Sequence, residues 1–183
     1  VLLLGIISFF AMYSTEQGKL DYFTQSHIYR FFIFFIVFIV VSFFNVQFWH
    51  KSAYLFYITI LILLIAVDFF GITASGSKRW ISLFFINLQP SELMKVAIII
   101  FLARYYNRIS SRDVNRLKFL IQPFFALFIP FALIIAQPDL GTAILILAGG
   151  LVVIWLAGLK VRYFIYSFFT LICLTPVVIV FLK

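Results

Sequence analysis

A succession of apolar runs, separated by short passages that hold almost all of the charge, is what most constrains this chain. A window of about 19 residues, matched to roughly 30 Å of hydrocarbon at 1.5 Å per residue, yields six or seven of them. They cover 1–13, 31–48, 54–73, 93–106, 119–136, 142–157 and 163–182. The predicted fold is therefore an all-α polytopic membrane protein, a single transmembrane domain over residues 1–183. The first run is short and has no starting Met, basic flank or small-residue cleavage site, so it reads as the tail of a spanning helix and not as a signal peptide. The chain stops at Lys183 directly after an apolar run. Both ends read as cut from a larger protein.

Composition excludes several classes. The chain is 65% apolar and 21% aromatic but only 11% charged, against roughly 25% charged in soluble domains. A net charge of +8 could suit nucleic acid, yet the bases do not form one face interleaved with aromatics, so the polyanion is excluded. They sort by side of the membrane instead. Lys51, then Arg104, Arg108, Arg112, Arg116 and Lys118, then Lys160 and Arg162 fall in alternate connections, and the positive-inside rule makes these cytoplasmic. Lys19, Arg30, Lys78 and Arg79 fall in the others, which places the 76–92 passage and the turn at Gln137 outside. Membrane lipids are the implied surroundings. Cys173 is the only cysteine, so no disulfide framework exists. His27 and His50 are isolated at opposite ends of one apolar run, which excludes a His-based metal site.

Two polar passages stand out. Gly76-Ser-Lys-Arg-Trp80 leads to Gln89-Pro-Ser-Glu92-Leu-Met-Lys95, and Gln137-Pro-Asp-Leu-Gly-Thr142 repeats the order of glutamine, proline and acid. Proline suits the first helical turn and an acid there complements the helix dipole, so each passage is predicted to open a helix that runs inward. Glu92 and Lys95 share a helix face, as do Ser91 and Lys95. If the helices pack together, Arg79, Glu92, Lys95 and Asp139 line one polar cavity.

A structural account stands beside the functional one. Glu92 and Asp139 can be helix caps, Lys95 can snorkel to the interface, and Lys78 and Arg79 can be interfacial charges. Asp68 is harder to treat this way, because an acid within a span faces a cavity or a partner. Pro123, Pro130 and Pro176 read as kinks whose freed carbonyls neighbouring helices re-satisfy. Gly149-Gly150 reads as close helix packing.

The combination Val67-Asp68-x-x-Gly71, Gly76-x-Lys-Arg79-Trp80, Gln89-Pro-Ser-Glu92-x-x-Lys95 and Gln137-Pro-Asp-Leu-Gly-Thr142, in this order between spans, resembles the SEDS family of bacterial cell-wall proteins. The wording at Leu88 to Lys95 and at Ala103-Arg-Tyr-Tyr106 is most similar to its elongation branch. The resemblance implies a fold of about ten helices in the bacterial inner membrane, of which this chain holds six or seven. It implies a peptidoglycan glycosyltransferase that polymerises lipid II on the outer face during elongation and cell-shape maintenance, beside a class B penicillin-binding protein. Lys78, Arg79, Trp80, Gln89, Ser91, Gln137 and Asp68 are then substrate-binding candidates, with Glu92, Lys95 and Asp139 in support. The catalytic acid of the family lies after its seventh helix, beyond Lys183, so the fragment alone is expected to be inactive. A divalent cation, Mg or Mn, held by Glu92 and Asp139 is the cofactor considered. Lipid II flippase and non-catalytic scaffold for the penicillin-binding protein are the alternatives.

Overall fold

The computed structural model of the protein describes residues 1–74, 77–83 and 86–166. It resolves into two compact units, one from Val1 to Trp49 and one from His50 onward.

In the first unit α1 (Leu2–Thr15) and α2 (Tyr22–Ser42) pack against each other through a short connection. Ser8 Oγ donates to the Gly5 carbonyl at 2.9 Å and meets His27 Nε2 at 2.9 Å, so the serine accepts and the ring nitrogen carries the proton. Gly5 permits the close approach, since a Cβ there would lie 2.3 Å from the Phe31 ring. Gln17 and Gly18 take positive φ to turn the chain. Glu16 then accepts the backbone N–H groups of Asp21, Phe23 and Thr24 at 3.2, 3.0 and 3.1 Å. A carboxylate from outside the helix thus supplies the capping that the N-cap residue, Asp21, does not provide. Beyond Thr24, no residue of α2 is buried, as suits a helix that meets lipid on most sides.

The boundaries of this region differ from the apolar runs. The run at 31–48 spans a turn at Phe43–Asn45, between α2 and α3 (Val46–Phe70), and α2 begins nine residues before that run. Hydropathy does not detect a turn made of Phe and Asn between apolar neighbours. Consequently His27 sits on α2 and His50 on α3, not at two ends of one span.

In the second unit α3 is followed by β1 (Ile72–Ala74), β2 (Ser77–Leu83) and β3 (Ile86–Leu88), then α4 (Pro90–Tyr106), α5 (Lys118–Ala136) and α6 (Leu140–Leu156). Helix resumes at 161–166. The remainder of the run at 163–182 lies outside the described residues, as do Gly76, Cys173 and Pro176. Three helices, α2, α3 and α5, are long and apolar enough to cross a membrane, and α1 and α6 are shorter apolar helices. The strands form an antiparallel sheet of order β1-β2-β3, with Ile72 opposite Trp80 and Ile81 opposite Leu88. No strand was expected from the polar passage. Its few alternating residues are too short a signal beside the flanking helical runs.

Helix α4 is the centre of the core. Its buried residues Pro90, Met94, Ala97, Ile98, Phe101 and Leu102 recur at three- and four-residue spacing, and it packs against both α5 and α6. Small residues let α6 approach: a Cβ on Gly150 would lie 2.1 Å from the Leu127 side chain of α5.

Pro123 and Pro130 lie inside α5 and are both buried. Each removes the N–H that would bond to the carbonyl four residues earlier, freeing those of Phe119 and Ala126. A tyrosine hydroxyl reaches each one: Tyr105 donates to Phe119 O at 3.2 Å and Tyr57 to Ala126 O at 2.9 Å. The Tyr57 ring also packs on Phe101, with centroids 4.6 Å apart.

Tyr57→Phe keeps that ring packing and leaves the buried Ala126 carbonyl unpaired. The expected loss is about 1–3 kcal/mol, read as a lower unfolding midpoint of the detergent-solubilised protein. Glu16 offers a second test. The neighbouring Thr24 hydroxyl, outside strict hydrogen-bond geometry, is the largest influence and with the three backbone donors holds its carboxyl below the ordinary 4.5, against the opposing effect of desolvation. Because the folded value is depressed, the cap acts fully above the ordinary value and is lost as pH falls through the depressed one. Protection of the Phe23 and Thr24 amides against hydrogen exchange, corrected for intrinsic rate, is expected to fall over that acidic window, whereas Glu16→Gln removes the dependence.

Candidate functional site

The sheet, the start of α4 and the junction between α5 and α6 converge on Asp139. Asp139 is the N-cap of α6, where it accepts the Thr142 N–H at 3.3 Å and the Thr142 hydroxyl at 2.9 Å. Gln89, the residue that precedes α4, donates its side-chain amide to the same carboxylate at 3.2 Å. From β2, Arg79 donates Nε to the Gln137 carbonyl at 3.1 Å and Nη2 to the Pro138 carbonyl, and its Nη1 lies 3.9 Å from Asp139. The Asp139 side chain is 13% exposed and that of Arg79 30%, so solvent screens this ion pair only in part. A cation, an amide and a hydroxyl converge on one nearly buried carboxylate.

Gln137 extends the network to α3. It is 5% exposed, and its side-chain amide donates to the Leu64 carbonyl at 3.1 Å and to Asp68 at 3.0 Å. Asp68 is not at mid-span but exposed in the last turn of α3. There the carbonyl end of the helix dipole disfavours an acid, so helix stability does not explain its presence.

Arg79, Gln89, Gln137, Asp139 and Asp68 are thus joined by direct contacts. Glu92 and Lys95 form a separate pair at 2.9 Å on α4, with side chains 53% and 30% exposed. Among the described residues no hydrogen bond or ion pair links them to Asp139. Ser91 is buried beneath them at 3% exposure, while Lys78 on β2 is exposed and Trp80 partly covered. The two Gln-Pro-acid passages also differ. Pro90 is the first residue of α4, whereas Pro138 precedes the cap, and it is the acid that caps α6. Thr142, the last residue of the Gln137 motif, joins the network through Asp139. Its signal is the spacing Asp139-x-x-Thr142, a cap followed three residues on by a polar side chain.

Glu92 and Asp139 do not fit a shared cation site. Glu92 faces Lys95, the Asp139 oxygens face donors and a guanidinium, and among the described residues no three His, Cys, Asp or Glu side chains gather.

The family model of the FtsW, RodA and SpoVE cell cycle proteins matches residues 1–183. The chain belongs to this family. Among curated relatives it is 30% identical over 159 residues to the probable peptidoglycan glycosyltransferase FtsW of Buchnera aphidicola subsp. Baizongia pistaciae, covering 87% of this chain and 42% of that protein. It is 44% identical over 108 residues to the peptidoglycan glycosyltransferase MrdB of Escherichia coli K12, covering 58% and 28%. The chain spans less than half the length of these relatives. The fold is similar to a chain of a peptidoglycan synthase complex, with a TM-score of 0.81 at 24% identity over 96% of this chain and 52% of that one. It is also similar to Thermus thermophilus rod shape determining protein RodA, with a TM-score of 0.63 at 29% identity over 74% and 44%. The helical membrane fold expected from the motifs is therefore that of the family.

Replacing Gln137 by Leu leaves the Leu64 carbonyl and Asp68 without their donor and is expected to cost about 1–3 kcal/mol. Glu92→Gln changes only an exposed pair and is expected to stay within about 0.5 kcal/mol. Thermal unfolding of the two variants in one detergent checks the contrast.

Proposed function

We propose that this chain forms the supporting half of a peptidoglycan glycosyltransferase site that polymerises lipid II, in the elongation branch of the family. The observation that carries this reading is the network around Asp139, in a family member whose relatives bear that enzyme name. The elongation role draws support from the 44% identity to MrdB and the likeness to RodA. The class B penicillin-binding protein follows from the family resemblance. The bacterial inner membrane is its proposed location, with the Asp139 end outward, and the Lys and Arg distribution supports that orientation.

Glycosyl transfer from a lipid diphosphate requires a base to take the proton of the acceptor hydroxyl and positive charge to offset the diphosphate as its bond to the sugar breaks. Arg79 spends its donors on the Gln137 and Pro138 carbonyls, so its role is to hold β2 against the α5–α6 junction. Lys95, set by Glu92, and exposed Lys78 are the cations that face a ligand. The Asp139 oxygens already face Gln89, Thr142 and Arg79, which leaves the base step to the acid that the resemblance places beyond Lys183.

Full-length protein assayed with lipid II and its cross-linking partner tests the proposal. Glu92→Gln is expected to lower glycan polymerisation by about tenfold or more, with unchanged membrane insertion and melting. Full polymerisation by both Glu92→Gln and Asp139→Asn would reject the site, and no polymer from the unaltered protein would favour a scaffold. Lipid II movement across proteoliposomes without polymer would favour a flippase. Rescue of rod shape, as against septation, in depleted cells separates elongation from division.

A further inference from the structure

The second unit is electrically lopsided. At the Asp139 end the described residues carry three bases, Lys78, Arg79 and Lys95, against three acids, Asp68, Glu92 and Asp139. At the other end stand eight bases and one acid, Asp113. Hydrogen bonds place those bases together. Arg104 near the end of α4 donates to the Lys51 carbonyl of α3, and Tyr105 reaches the start of α5. The Asn115 amide donates to the Gly158 carbonyl at 3.2 Å, while its oxygen accepts the Lys160 N–H at 3.1 Å.

That last pair is a latch. Asn115 bonds to the backbone after α6 much as a strand residue bonds to its neighbour, and Val114 beside it is fully buried in the core. The α4–α5 connection is therefore pinned against the segment that follows α6. Arg108, Arg112, Arg116, Lys118, Lys160 and Arg162 are all exposed around the latch. Only Arg116 has an acidic partner among the described residues, Asp113 at 3.1 Å. Leu117 and Leu156 stand beside them at 78% and 73% exposure. Unneutralised cations bordered by exposed leucines match the boundary where headgroup phosphates meet acyl chains.

We infer that this latched basic end is a binding surface for anionic phospholipid headgroups. Sorting of bases by side of a membrane needs only their presence in a connection. The Asn115 latch adds a fixed geometry, which gathers bases from two connections into one surface that several lipid phosphates can occupy. Neither the glycosyltransferase reading nor the orientation of the chain enters the inference.

The test uses the full-length protein reconstituted in phosphatidylcholine containing phosphatidylglycerol, gently extracted, with retained lipids quantified by mass spectrometry. Retained phosphatidylglycerol is expected to be enriched over the bulk mixture, and high salt is expected to erase the enrichment. Neutralising Arg108, Arg112 and Lys160 to Gln is expected to reduce it by about fivefold per base. Arg108→Lys with Arg112→Lys is expected to retain it, and Asn115→Ala to weaken it with every base present. Inorganic phosphate and pyrophosphate at matched concentration are expected not to displace the lipid. No enrichment in the unaltered protein would overturn the inference and leave the bases to an acidic protein partner. So would displacement by the free anions, or equal enrichment in the neutralised variant of unchanged helicity.

Discussion

Pairing of α5's freed carbonyls is the constraint on which the second unit depends. In hydrocarbon, an unpaired backbone carbonyl has no water to turn to. Two prolines in one helix create that need at Phe119 and Ala126, and the chain answers with two tyrosines, Tyr105 of α4 and Tyr57 of α3. The bonds do more than remove a penalty. They set the depth and rotation of α5 relative to two other helices, since each hydroxyl reaches a single carbonyl. Gly150 then lets α6 close on Leu127.

That packing brings the ends of α3, α4, α5 and α6 to one level, where the polar groups of the site meet. Asp139 caps a helix and also receives Gln89 and Arg79, so capping and site formation are the same set of bonds. Gln137 holds the opposite margin by giving both amide hydrogens to α3. The site's buried members are rigid because they are also structural. Its exposed pair, Glu92 and Lys95, is held only to itself and stays available to a ligand.

Much of this was legible in the chain. Apolar runs located most of the helices, and α4 and α5 begin within a few residues of the expected 93 and 119. Motif order located the family. The motifs contain Arg79, Gln89, Gln137 and Asp139, which the fold joins by direct contacts. The misses share a cause. The turn at Phe43–Asn45, the strands of three to seven residues in the polar passage and the placement of Asp68 at a helix end are all features shorter than the averaging window. A 19-residue average cannot resolve them. Thr142 ends the Gln137 motif, but its two hydrogen bonds to Asp139 emerge only with the cap geometry of α6.

By itself the sequence determined that the chain enters the membrane as helices, that its bases gather in alternate connections, and which polar residues have no reason to meet lipid. These follow from transfer free energies, which depend on residue type and run length alone. Only the tertiary structure decided which polar groups share a bond: that Arg79 clamps carbonyls, that Glu92 pairs with Lys95 and not with Asp139, and that tyrosines answer prolines. A long-range hydrogen bond depends on distances of about 3 Å between residues tens of positions apart, and the packing of the helices and of β2 sets them.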